Sequence, residues 1–352
     1  MEWLDSLETE HLLQIMETEL QSELPSFSLR TLFEELLNGE LELDLFYLIE
    51  QAADVLWLMI TGQMHILGQL VLLAAMLALL RQMESSFVSG TIQKVSGFMI
   101  QAVAVLLILN SGQQILEYSA LAVSRMTSVM AALIPVQLLL MAALGNVKTA
   151  GLLQPSLLLI VQGAAWFFQN VILPLITMEF LLKLVNSFSD TYSLTGLASF
   201  LRKIILGSIS FFVMLFLAFI SLQGIGGQAL DRLALRTVKY VTGNAIPVVG
   251  GMLSGLMDTF LSGGMAIRNT LGVAGLLVIL VLTVLPSLKI LVMYFLYHFA
   301  AALLQPLGDS PLTGLLEQAA GTFMLLFAVV ALTGVLFFFM ILIVVAASGT
   351  VI

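Results

Sequence analysis

The residues best placed to act lie in one stretch, Leu233–Leu256, which reads LALRTVKYVTGNAIPVVGGMLSGL. It sets Arg236, Lys239, Asn244 and Pro247 among apolar neighbours, with Gly250 and Gly251 behind the proline and Asp258 just beyond. The work open to such a set is that of a gate or a docking surface rather than bond-making. A proline surrounded by Gly243, Gly250, Gly251 and Gly255 does not propagate an unbroken helix. Freed backbone groups at membrane depth persist only where protein or a wet cavity satisfies them. The stretch is therefore a surface turn or the interior of a membrane assembly. Arg236 and Lys239 lie three apart on one helix face, which suits either an amphipathic helix at the interface or a docking or pore-lining role. Gly251 and Gly255 form a G-x-x-x-G, a spacing that lets helix backbones approach.

Glu179 is the most informative single acid. It shares the segment Leu152–Leu182 with Gln162, Gln169, Asn170 and Pro174. An ionisable group at that depth is costly and points to function. The competing reading pairs it with Lys183 four residues on, near a helix end where long side chains reach water. The amides suit interhelical hydrogen bonds. Catalysis has little support: there is no phosphate-binding G-x-x-x-x-G-K loop, no H-E-x-x-H and no G-x-S-x-G. His11, His65 and His298 are far apart in sequence, and a metal site needs several convergent ligands. With no cysteine, disulfides, thiolate sites and thiol catalysis are all removed. The expectation is a protein that is not an enzyme and uses no metal or cofactor.

These residues must be positioned by membrane helices. Of 352 residues, 60% are hydrophobic and 10% charged, whereas a soluble domain carries about 25% charged residues. Mean hydropathy is +1.07. The net charge of −9 is uneven: residues 1–54 hold 14 of the 22 carboxylates and one base, Arg30. An acidic tail argues against binding nucleic acid or anionic lipid surfaces.

Four regions follow along the chain. Residues 1–54 form an acidic helical cap, in which Leu4–Leu24 spaces Leu4, Leu7, Leu12, Ile15 and Leu20 as an amphipathic helix ended by Pro25. A second helix, Leu29–Leu37, stops at Asn38-Gly39. Residues 55–119 hold a first transmembrane pair, Val55–Leu80 and Val95–Leu109, flanking a loop with Arg81 and Lys94. Those bases place the loop in the cytoplasm and the N-terminus outside.

Residues 120–225 and 226–352 read as two copies of one module. Ile134-Pro135-Val136 and Ile246-Pro247-Val248 are 112 residues apart. The same offset aligns Gly151 with Gly263, Gly163 with Gly275, and Leu173-Pro174 with Leu285-Pro286. Leu194-Thr195-Gly196-Leu197 then matches Leu312-Thr313-Gly314-Leu315 after a short insertion. Chance in a Gly- and Leu-rich chain is the bland reading. As a duplication, each copy holds a Pro-broken stretch (Ala120–Leu144; Leu233–Met257) and a long helix with a second proline (Leu152–Leu182; Leu271–Leu303). A further span closes each copy (Ile204–Leu222; Phe323–Ala347). Re-entrant Pro-broken stretches give parallel repeats, and spanning ones give inverted repeats. Poor helix-building around Pro247 favours the re-entrant form.

The runs LRTVKYVTGNAIPVVGGMLSGLMDTFLSG, IRNTLGVAG, LPSLKI and AAALLQPLGDSPL resemble the stage III sporulation protein AE family of endospore-forming bacteria. MTSVMAALIPVQLLLMAAL and FQNVILPL look like its upstream portion. The resemblance implies a multi-pass protein of the mother-cell membrane around the forespore, within a multi-protein channel complex. The implied partners are a secretion-type ATPase, ring-forming subunits and stage II sporulation protein Q, with self-assembly also expected. The family supplies no catalytic residues. Its members usually begin with a hydrophobic, signal-like segment, whereas acidic helices come first here. Either such a segment is missing from this chain, or Val55–Leu80 exports the tail.

The resulting expectation is an all-α polytopic membrane protein with six to eight spans, acting as the non-enzymatic membrane component of a sporulation channel. Arg236, Lys239, Asn244, Pro247, Gly250, Gly251 and Asp258 are its gate or docking residues, with Pro135, Pro174 and Glu179 in support. The competing classes are a stand-alone secondary transporter with a substrate site at the repeat interface, and a scaffold with no conduit.

Overall fold

The computed structural model describes residues 7–21, 23, 29, scattered positions between 57 and 76, and residues 90–143, 147–188, 194–222, 270–305 and 311–348. Its elements are helical throughout: α1 (Leu7–Gln21), α2 (Gly90–Ala143), α3 (Val147–Phe167), a π-helical turn (Phe168–Ile172), α4 (Leu173–Asn186), α5 (Thr195–Leu222), α6 (Thr270–Leu304) and α7 (Pro311–Ser348). Five stretches are long and apolar enough to cross a membrane: Gly97–Leu139, Pro155–Asn186, Thr195–Ser221, Leu271–Leu304 and Leu312–Val345. A crossing needs about 20 residues. The chain is thus an all-α polytopic membrane protein, with five candidate spans among the described residues. The stretch Leu233–Met257 and most of Val55–Leu80 lie outside them.

Pro135, expected to break its helix, does not, and Pro174 lies, as expected, within a long helix. Pro135 sits inside α2, which runs unbroken for 54 residues and joins Val95–Leu109 to Ala120–Leu144. A proline forfeits one helical hydrogen bond, and neighbouring helices make that tolerable within a membrane bundle. Here Leu133, Ile134 and Leu138 are buried around it. Pro174 is handled differently. Just before it the helix widens, and the Leu173 N–H donates to Phe168 O, five residues back. This π turn makes room for a ring that would otherwise press on the preceding turn, so α3 and α4 form one bulged helix.

Packing contacts define the register. Ser111 (α2) hydrogen-bonds Tyr297 (α6), and Tyr297 meets Phe323 (α7) edge-on at 4.9 Å. Phe180 (α4) lies against Gly112 and pairs with Phe323 at 6.5 Å. One level of the bundle therefore holds residues 111, 180, 297 and 323. Further along, a methyl on Gly334 (α7) would collide with Thr283 (α6), whose hydroxyl lies 3.4 Å from Met126 Sδ (α2). Gly275 (α6) is closed in by Leu133, and Gly272 faces both Val345 and Gln137. These glycines let α6 approach α2 and α7 closely.

From this register α6 runs antiparallel to both α2 and α7. α4 is also antiparallel to α2, while α5 turns back along α4, with Phe212 stacked on Phe167 at 4.8 Å. α4 and α6 therefore share one direction, and α5 and α7 the other. The amphipathic N-terminal helix is present as α1, packed against α2 and α6. Its buried stripe is Leu12, Met16 and Leu20, so Met16 takes the place given to Ile15.

Candidate functional site

Two clusters of charge are built into this apolar bundle. The first centres on Glu179 of α4, which is fully buried. Lys183, one turn on, forms an ion pair with Glu179 Oε1, and Arg202 of α5 approaches the same oxygen at 3.8 Å. The Thr322 hydroxyl of α7 donates to Glu179 Oε2 at 3.1 Å. Lys183 also reaches the Gln318 carbonyl at 3.5 Å. One acid, two bases and a hydroxyl thus tie three spanning helices together. Removing one partner of a buried pair strands the other, at a cost of about 3–5 kcal/mol.

The second cluster centres on Arg125, midway along α2. It pairs with Glu23 and lies 3.7 Å from Glu19 of α1. The Tyr118 hydroxyl donates to Glu23 Oε2 at 2.8 Å. Lys289 of α6 sits over the Tyr118 ring, 4.0 Å from its centroid, a cation–π contact. These residues fasten α1 to α2 and α6.

The pairing of Glu179 with Lys183 is the one expected four residues apart. Glu179 itself is fully buried, while Arg202 keeps 39% of its side chain exposed, and the remaining partners come from distant helices. Pro174 is exposed beside the π turn, and Pro135 is half-buried within α2. The structure does not bring either proline to Glu179's polar contacts. Gln162 and Asn170 face outward, and the Asn170 amide caps back onto its own helix at Trp166 O, 3.1 Å away. Arg236, Lys239, Asn244, Pro247, Gly250, Gly251 and Asp258 all lie outside the described residues. His298 stacks on Tyr294 at 5.8 Å, and His11 is exposed.

Arg125, Tyr118, Lys289, Arg202 and Thr322 were not singled out by sequence. For Arg125 and Lys289 a signal existed: each is a base in the interior of a long apolar helix, as costly at that depth as a lone acid. Arg202 and Thr322 carry no such mark, because their partner is more than twenty residues away in sequence and known only once the helices pack. Chemically, the two clusters can hold helices in register and respond to charge; their described neighbours include no substrate-binding constellation.

The stage III sporulation protein AE family model matches residues 27–348. A Bacillus subtilis (strain 168) protein named stage III sporulation protein AE is 34% identical over 272 residues, covering 77% of this chain and 68% of that protein. No solved structure matches.

Proposed function

The chain belongs to the stage III sporulation protein AE family, and from that premise we propose that it is the membrane-embedded component of the mother-cell-to-forespore channel complex. It acts there without chemistry of its own, beside a secretion-type ATPase, ring-forming subunits and stage II sporulation protein Q. The observation that carries this reading is the pair of charged clusters inside the apolar bundle. Charges buried inside such a bundle are costly and mark pathways or obligatory contacts.

Orientation follows from the bases. Gln101 of α2 donates to the Ser187 carbonyl, and Phe98 pairs with Phe188 at 5.7 Å. The α2 start, which carries Lys94 and is preceded in sequence by Arg81, therefore shares an end with Lys183, Arg202 and Lys203. That end faces the mother-cell cytoplasm. The shared directions of α4 with α6 and α5 with α7 suit a parallel duplication, as does the LTGL tetrapeptide opening both α5 and α7.

Deleting the protein from sporulating cells is expected to stop late forespore transcription, and tagged protein is expected to co-purify with the ATPase and ring subunits. Normal spores without it would overturn the reading. So would purified protein that alone moves a solute down an ion gradient and loses this with Glu179→Gln, the behaviour of a stand-alone transporter.

A further inference from the structure

We infer that the outward face of α2 is the wall of a water-filled cavity at the depth of the hydrocarbon core, and, resting on the channel reading above, that this cavity is part of the conduit. Between residues 110 and 128 the exposed side chains of α2 are Asn110, Gln113, Gln114, Glu117, Ser124 and Ser128, interrupted only by Leu121. They recur every three or four residues, which is one helix face. The Gln113 amide donates to Glu117 at 3.1 Å along that face. The opposite face, including Ile115, Met126 and Met130, is buried.

Depth comes from the register. Ser111 lies level with Phe323, and Gln137 lies level with Val345. Between those limits α7 reads FMLLFAVVALTGVLFFFMILIVV, without an ionisable residue. Its length, about 33 Å at 1.5 Å per residue, matches a hydrocarbon core of about 30 Å. The polar face of α2 therefore runs through most of the same slab. Toward its N-terminus, where the helix passes beyond α7's apolar segment, the same face turns apolar with Met99, Val103 and Leu106. A helix facing lipid has the reverse pattern.

A lipid-facing surface at this depth is available for contrast. α5 lies alongside α4 through Arg202 and Phe212, and exposes Phe211, Met214 and Leu215. The polar sector is also wider than one helix. α1, fastened to α2 through Arg125, turns Gln14, Thr18 and Gln21 outward. Water is the occupant that solvates amides, hydroxyls and a carboxylate together without a matched partner for each. A wall of amides and hydroxyls with one carboxylate holds no ion tightly, as passage requires. It suits small hydrated solutes, with a mild preference for cations.

The absence of cysteine makes the test direct. Single-cysteine variants at Gln113, Glu117, Ser124 and Ser128, with Met214→Cys and Phe211→Cys for comparison, are exposed in sporulating cells to a charged, membrane-impermeant thiol reagent. Because the thiolate reacts and forms only in water, the α2 positions are expected to label about tenfold faster than the α5 positions. Labelling no faster than Met214→Cys would overturn the wet face. So would α2 cysteines that resist the reagent but cross-link to one another between copies, the mark of a protein-sealed interface. Spore formation is read in parallel in Gln113→Leu with Ser124→Leu. Wet α2 cysteines alongside normal sporulation in that variant would uphold the cavity and count against the conduit reading alone.

Discussion

The clusters around Glu179 and around Arg125 invert one another. In the first, one fully buried acid faces two bases, and all its partners belong to spanning helices α4, α5 and α7. In the second, one base faces two acids, and both acids come from residues 19–23, ahead of the segment matched to the family. The contrast separates two jobs. The Glu179 cluster holds the bundle itself together, whereas the Arg125 cluster attaches an added helix to a bundle that is already formed.

That division predicts a ranked series of effects. Lys183→Met leaves buried Glu179 with Arg202 and the Thr322 hydroxyl but without its closest base, and is expected to destabilise by about 3–5 kcal/mol, read as lower thermal stability in detergent and reduced accumulation in cells. Arg125→Met is expected to cost about 1–3 kcal/mol, felt at α1 alone: limited proteolysis should release residues before 30 while α2–α7 stay intact. Gly334→Val overfills the contact with Thr283, with an expected loss of about 1–3 kcal/mol and no change at α1. Thr322→Val removes one hydroxyl from Glu179, and a loss of about 1 kcal/mol is expected. Should Arg125→Met unfold the whole bundle, or Lys183→Met release only α1, the two clusters would not differ as described.

Much of this architecture was legible from residue patterns. Apolar length revealed the spans, amphipathic spacing located α1, the i,i+4 rule paired Glu179 with Lys183, and the LTGL tetrapeptides sit at the starts of α5 and α7. Pro135 misled, because propensity describes an isolated helix. Within the bundle, buried neighbours carry α2 through Pro135, and a π turn absorbs Pro174. The polar face of α2 was hidden for a related reason. Asn110–Ser128 straddles the end of one expected element and the start of another, Ala120–Leu144, and only its register against α7 places it at membrane depth. Arg202 and Thr322 were illegible because nothing local marks a residue whose partner arrives by tertiary packing.

Everything about depth, and therefore about the wet face, depends on the alignment of α2 against α6 and α7. The most direct check is oxidation of a Leu133→Cys, Gly275→Cys pair in native membranes. Gly275 is walled in by the Leu133 side chain, so a disulfide is expected to form within the monomer, as two neighbouring Cβ atoms allow. If that pair stays reduced while Leu133→Cys bridges instead to Met293→Cys, α2 would be displaced by about five turns. Residues 110–128 would then no longer lie beside the apolar stretch of α7.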